Sequence, residues 1–127
     1  MAAGPINFMR ILIAEDDELL RALLADFLSE LGHEVKSAGN GAELIKLAFA
    51  ERPGLVITDL HMPEMAGDSM IAMLDMCPDL AGIPVIIITG ATTAELRDMG
   101  IPKEIPVLLK PFDFARIVAA VDLVAPK

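Results

Sequence analysis

Cysteine is nearly missing from this chain. Cys77 stands alone among 127 residues, so neither an internal disulfide nor a multi-cysteine zinc site can form, and a reducing compartment is the simplest setting. Cations are scarce as well. Ten Lys and Arg face 19 Asp and Glu, for a formal net charge of -9, the wrong sign for contacts along a phosphate backbone; direct nucleic-acid binding is therefore disfavoured. The stretch Met1 to Met9 lacks the basic and apolar regions of a signal peptide, and no apolar run reaches the roughly 18 residues that a membrane span needs. A cytoplasmic protein without a membrane partner is expected.

What is present describes one compact domain over residues 1–127, with a core from about 9 to 124. A hydrophobic fraction of 54% with 9 Gly and 9 Pro excludes disorder and fibrous repeats, and the length suits a single core. Apolar runs and helical patterns alternate along it. Arg10–Ala14 is a buried strand that stops at Glu15, Asp16 and Asp17. Leu20, Leu23, Leu24, Phe27, Leu28 and Leu31 then fall at helical spacing before Gly32. A more polar strand covers Glu34–Ala38, and Asn40 caps a helix from Gly41 to about Glu51 with Leu44, Leu47, Ala48 and Ile45 inward.

The second half repeats the alternation. Leu55–Thr58 is a strand ending at Asp59, and a helix is expected from Asp68 to Met76. Val85–Ile88 is a β-branched strand with Thr89 at its tip, followed by a short helix over Thr92–Met99. Val107–Leu109 is a last strand running into Lys110 and Pro111, and a final helix covers Asp113–Val124. Pro106 confines that strand to a short edge. Five β and α units in alternation predict a doubly wound parallel sheet covered on both faces, a (βα)5 three-layer sandwich.

Such sheets bind ligands beyond the carboxyl ends of their strands, where the strand order reverses. Every polar tip lies on that edge: Glu15 and Asp16 after the first strand, Asp59 after the third, Thr89 after the fourth, Lys110 after the fifth. In the order 2-1-3-4-5 the first and third strands flank the switch point, and Glu15, Asp16 and Asp59 converge. Three carboxylates that close repel each other unless a hard cation lies among them, and a site with few carboxylates and several waters suits Mg2+. Thr89 adds a hydroxyl and Lys110 a positive charge. A cation, a lysine and a hydroxyl around one carboxylate form a receptacle for a phosphoryl group. The central carboxylate is then a nucleophile that becomes an aspartyl phosphate.

Four segments carry a resemblance: Ile-Ala-Glu-Asp-Asp at 13–17, Ile-Thr-Asp-Leu-His-Met-Pro-Glu-Met-Ala-Gly at 57–67, Ile-Ile-Thr-Gly at 87–90 and Leu-Lys-Pro-Phe at 109–112. In this order and at these strand ends they resemble the receiver domain of two-component response regulators, the CheY-like family, from about Arg10 to Val124. The resemblance implies the flavodoxin-like order 2-1-3-4-5 and a signalling switch rather than an enzyme acting on other substrates. It implies Asp59 as phosphoacceptor, Asp16 and Glu15 as the acidic pair holding Mg2+, and the backbone carbonyl of His61 as a further metal contact. Thr89 becomes the switch hydroxyl, and Lys110 the lysine that pairs with the phosphoryl group, with a cis bond to Pro111. The implied partners are a sensor histidine kinase or histidine phosphotransfer protein and an unidentified downstream protein. Two features depart from the family pattern. Val107 stands where an aromatic residue is common, and Lys103–Pro106 replaces the usual Gly-Ala before the last strand.

Other residues have ordinary explanations. Asp17 reads as a helix cap, His33 as a turn residue, the His61 side chain as solvent-facing, and Cys77 as structural because no basic neighbour activates it. Met62, Met65, Met70, Met73 and Met76 read as adaptable packing. Alternative functions fare worse. A flavin carrier needs a glycine- and hydroxyl-rich phosphate cradle where Glu15–Glu18 stands, and an aspartate-based phosphatase needs an acid at His61. A phosphorylation-independent scaffold of the same fold leaves the intact Asp, Thr and Lys set without a use. The final helix is apolar nearly all round. Ile117, Val121 and Val124 suffice to cover a sheet, so Phe114, Val118 and Leu123, with Val107 beside them, are expected on a partner or homodimer surface.

Overall fold

In this computed structural model, residues 9–60, 72–73, 75–101 and 104–124 are described. The elements are β1 (Arg10–Ala14), α1 (Glu18–Glu30), β2 (Glu34–Ala38), α2 (Gly41–Glu51), β3 (Leu55–Asp59), β4 (Val85–Thr89), α3 (Thr93–Asp98), β5 (Val107–Leu109) and α4 (Phe114–Val124). Residues 72, 73, 75 and 76 are also helical; the rest of the helix expected over 68–76 lies outside the described residues. All five strands are parallel in the order β2-β1-β3-β4-β5.

Alternation along the strands builds two cores. Leu12, Ala14, Val56 and Ile87 point to one face, where they meet Leu44 and Ala48 of α2, with Leu96 and Met99 at the edge. Ile11, Ile13, Ile57, Ile86 and Ile88 point to the other, against Leu24 and Leu28 of α1 and Ile117 and Val121 of α4. Because β1, β3 and β4 are covered on both faces, they are continuous apolar runs. Each fully buried Ile, Leu or Val stabilises the fold by about 1.5–3 kcal/mol. β5 has three residues; Pro106 lies at its start, where its carbonyl accepts from the Ile87 N–H at 2.9 Å.

Several apolar residues lie elsewhere than their spacing suggests. The stripe of α1 is Leu20, Leu24, Phe27 and Leu28; Leu23 falls on its flank, 46% exposed, and Leu31 is the C-cap, where the chain turns away at Gly32. Phe114, expected on an outer surface, stacks on Phe27 with ring centroids 4.5 Å apart and packs against the second core. The buried stripe of α4 is thus wider than one row, because α4 covers β4 and β5 and also meets α1. Met73 and Met76 are exposed rather than packed, while Met62, Met65 and Met70 lie outside the described residues.

His33 is more than a turn residue. It is buried, and its Nδ1 accepts from the backbone N–H of Met9 at 3.1 Å. That bond needs an unprotonated Nδ1. Burial pushes the imidazole below its ordinary pKa, and the Asp122 carboxylate opposes this only in part. A lowered folded pKa means that the unfolded chain binds the proton more readily. The contribution of His33 to stability is therefore complete above about pH 6.5 and is lost as pH falls through the lowered folded value. Denaturant melts across this range are expected to show that loss in the wild type and not in His33→Asn, whose carbonyl keeps the acceptor without titrating. Identical pH profiles would contradict the assignment.

Candidate functional site

The parallel register carries three strand ends to one place. β1 pairs with β3 up to Ala14 opposite Thr58, β3 with β4 up to Asp59 opposite Ile88, and β4 with β5 up to Thr89 opposite Leu109. Glu15, Asp59, Thr89 and Lys110 thus stand along the carboxyl edge of four adjacent strands. Asp59 and Thr89 are the last residues of their strands and are not loop residues.

Carboxylate oxygens of Glu15, Asp16 and Asp59 all lie within 4.8 Å of one another. Glu15 and Asp59 are buried, whereas Asp16 is exposed at the mouth. Lys110 reaches in from β5, its Nζ donating to Glu15 Oε1 and to Asp59 Oδ2 at 2.7 Å each. One ammonium against three carboxylates leaves the site with excess negative charge. Burial raises the Glu15 pKa, and the bonds to Lys110 and Asp17 do not offset it, while Asp16 and Asp59 push the same way. Burial alone would lower Lys110, but its bonds to Asp59 and Glu15 outweigh that and raise it. Lys110 is therefore a fixed cation at any ordinary pH.

The turn after β1 is held at several points. Glu15 N–H donates to Ala38 O at 3.1 Å, Glu15 Oε2 accepts from Asp17 N–H at 3.1 Å, and Asp17 Oδ1 accepts from Leu20 N–H at 3.1 Å as the N-cap of α1. Arg21 Nη1 donates to Glu15 O at 2.8 Å. Arg21 belongs to no sequence motif, but its position one helical turn beyond the N-cap Asp17 places it on the same face of α1.

At the end of β4, Thr89 is fully buried, and its Oγ1 accepts from Ala91 N–H at 3.0 Å. Its carbonyl accepts from Lys110 N–H at 2.7 Å, which ties the two strand ends together, and the Lys110–Pro111 peptide is cis. Thr92 and Glu95 form a reciprocal capping box, so the loop from Thr89 enters α3 in one defined conformation. His61 lies outside the described residues. Of the four residues expected on a partner surface, Leu123 is 67% exposed, Val118 and Phe114 are half-buried, and Val107 packs against the first core.

The donor set suits a hard divalent cation. Oxygen-only ligands with surplus negative charge, one of them open to water, fit Mg2+, which binds through one or two carboxylates and keeps several waters.

A doubly wound sheet with a lysine-bridged acidic cluster at its switch point is the architecture of CheY-like receiver domains. The chain belongs to the response regulator receiver domain family, whose model matches residues 11–122. It is 35% identical over 122 residues to the transcriptional regulatory protein PdtaR of Mycobacterium tuberculosis, covering 90% of this chain and 55% of that protein. This chain thus spans about half the length of that relative. It is 34% identical to the response regulator receiver protein CpdR of Brucella abortus, covering 89% of this chain and 93% of the other. Among solved structures, it is similar to the receiver domain of a signal transduction histidine kinase from Syntrophus aciditrophicus, with a TM-score of 0.83, 29% identity and coverage of 91% and 89% of the two chains. The chemotaxis response regulator CheY4 of Vibrio cholerae gives a TM-score of 0.82 at 25% identity, covering 92% and 98%. Receiver domains are signalling domains whose general function is phosphorylation-dependent switching. They bind Mg2+ at an acidic pocket and work with histidine kinases or phosphotransfer proteins. Among the described residues, no helix is long and apolar enough to cross a membrane.

Proposed function

We propose that this chain is a single receiver domain that accepts a phosphoryl group on Asp59, from a phosphohistidine of a sensor kinase or phosphotransfer protein, in the cytoplasm. The observation that carries the reading is Lys110 Nζ bridging Asp59 Oδ2 and Glu15 Oε1 beside the exposed Asp16. It fixes the position of the nucleophilic carboxylate and puts a positive charge where an incoming phosphoryl oxygen will need one. An Asp59 carboxylate oxygen attacks phosphorus, forming a P–O bond as the P–N bond to the imidazole breaks, and the released imidazole takes up a proton. Glu15, Asp16 and Asp59 would hold Mg2+, with the backbone carbonyl of His61 as the further contact that the family resemblance implies, and the ion would supply positive charge to the phosphoryl oxygens.

The same residues then read the product. Lys110 moves its bond from the Asp59 carboxylate to a phosphoryl oxygen. The Thr89 hydroxyl gives up the Ala91 N–H to reach the new group, which frees the start of the loop to repack toward the site. That loop leads directly into α3, and the bond from Lys110 N–H to Thr89 O joins its start to the end of β5, so the change biases a surface on β5 and α4, where Leu108, Ala119 and Leu123 line a shallow groove. Output to a downstream protein or a second copy of the chain follows from the exposed Leu123 on that face.

Incubation with a small phosphodonor is expected to yield an acid-labile phosphoprotein only when Mg2+ is present; no acid-labile phosphate on the wild type would sink the proposal. The metal ligands are separable from the cap beside them. Asp16→Ala is expected to weaken Mg2+ binding at least tenfold with little effect on folding. Asp17→Ala should instead lower stability by about 1 kcal/mol through loss of the N-cap and leave Mg2+ affinity near wild type. Calorimetric titration and melting of both variants check this, and equal losses of affinity would mean a misassigned pocket.

A further inference from the structure

β1 stops pairing with β3 at Ala14, so the carbonyl of Glu15 has left the ladder where the chain turns toward α1. A carbonyl there needs a donor from outside the sheet. Arg21 supplies it at 2.8 Å. The oxygen belongs to the planar Glu15–Asp16 peptide, so holding it also fixes the amide nitrogen and Cα of Asp16, the point from which the Asp16 carboxylate leaves the chain. The Glu15 carboxylate has its own anchors in Asp17 N–H and Lys110. Asp16 is exposed, and its aim depends on the peptide that carries it.

A second observation lies across the turn. Gly39 follows β2 directly, and its backbone is outside the left-handed region, so conformation does not require glycine there. Space does. A Cβ on Gly39 would stand 2.9 Å from Arg21 Nη1. The clash is with the far end of a flexible side chain, so an alanine would displace the guanidinium rather than the backbone.

We propose that Arg21 is a positioning residue for the Mg2+ site, acting through the Glu15–Asp16 peptide, and that Gly39 is the clearance that lets it do so. The inference rests on the reading of Glu15, Asp16 and Asp59 as that site. Partners that orient a metal ligand without touching the metal typically change affinity by about 10–100-fold; acting through one peptide, Arg21 belongs at the lower end.

The test is Mg2+ titration of the full chain, followed by backbone amide NMR, for wild type, Arg21→Met, Gly39→Ala and the double variant, with thermal melts in chelator alongside. Each single variant is expected to bind Mg2+ about tenfold more weakly. Gly39→Ala should melt in chelator close to the wild type. The double variant should bind no more weakly than Arg21→Met, because the contact that the alanine displaces is already gone. Wild-type affinity in Gly39→Ala, or losses that add in the double variant, would overturn the proposal while leaving the Mg2+ site standing. A wild type that binds no Mg2+ would overturn both. Should Arg21→Met fail to fold, weakened binding by a folded Gly39→Ala upholds the proposal and unchanged binding overturns it.

Discussion

Asp59→Asn is expected to abolish phosphoryl acceptance and, in chelator, to leave the protein at least as stable as the wild type and up to about 2 kcal/mol more stable. The first effect follows because an amide has no carboxylate oxygen to attack phosphorus. The second follows from burial and crowding. Asp59 is buried within 4.8 Å of two further carboxylates, and one lysine serves both it and Glu15. Removing one charge relieves repulsion and a desolvation cost, while Lys110 keeps Glu15 as its partner. Denaturant melts in chelator check the sign. A clearly less stable variant would mean that the Asp59–Lys110 bond outweighs the repulsion and that the cluster is not poised for a cation.

The opposite sign is expected on the other side of the same bond. Lys110→Met removes the cation that bridges Glu15 and Asp59 and leaves two buried carboxylates without it, at a loss of about 3 kcal/mol in chelator. Mg2+ binding should restore part of that loss, since a divalent cation takes over some of the missing charge compensation. Phosphorylation should slow as well, because no fixed cation meets the incoming oxygens. Adding Asp59→Asn should soften the stability loss, so the two changes are not additive. Melts of the single and double variants with and without Mg2+ supply the comparison. A Lys110→Met protein as stable as the wild type in chelator would show that the ammonium contributes nothing to holding the cluster.

The positions of Glu15, Asp59, Thr89 and Lys110 were legible because a parallel strand is an apolar run that ends abruptly, and the first polar residue after each run is the strand tip. Ile11–Ala14 and Val85–Ile88 are buried on both faces, so their ends are sharp in the sequence and in the fold alike. The strand order drew on family resemblance, since hydrophobic periodicity carries no information about which strands are neighbours. Leu23 and Phe114 escaped the same reading for a physical reason. Helical spacing defines an apolar arc but not its centre, and the centre depends on neighbours far away in sequence: Phe27 covers Phe114, and the sheet takes Leu24 in preference to Leu23. Arg21 carries no signal in the sequence, and His33 reads there only as a turn residue, because their partners are a carbonyl and an amide. Backbone groups have no residue type, so no motif announces a side chain that serves them.

The most direct test is to locate the phosphoryl group. After exposure to a small phosphodonor with Mg2+, the acyl phosphate is reduced with borohydride and the reduced residue is mapped by peptide mass spectrometry. Reduction confined to the peptide containing Asp59, absent without Mg2+ and absent from Asp59→Asn, is the predicted result. Label on Asp16, on a histidine or on no residue at all would contradict the assignment of Asp59 as the phosphoacceptor.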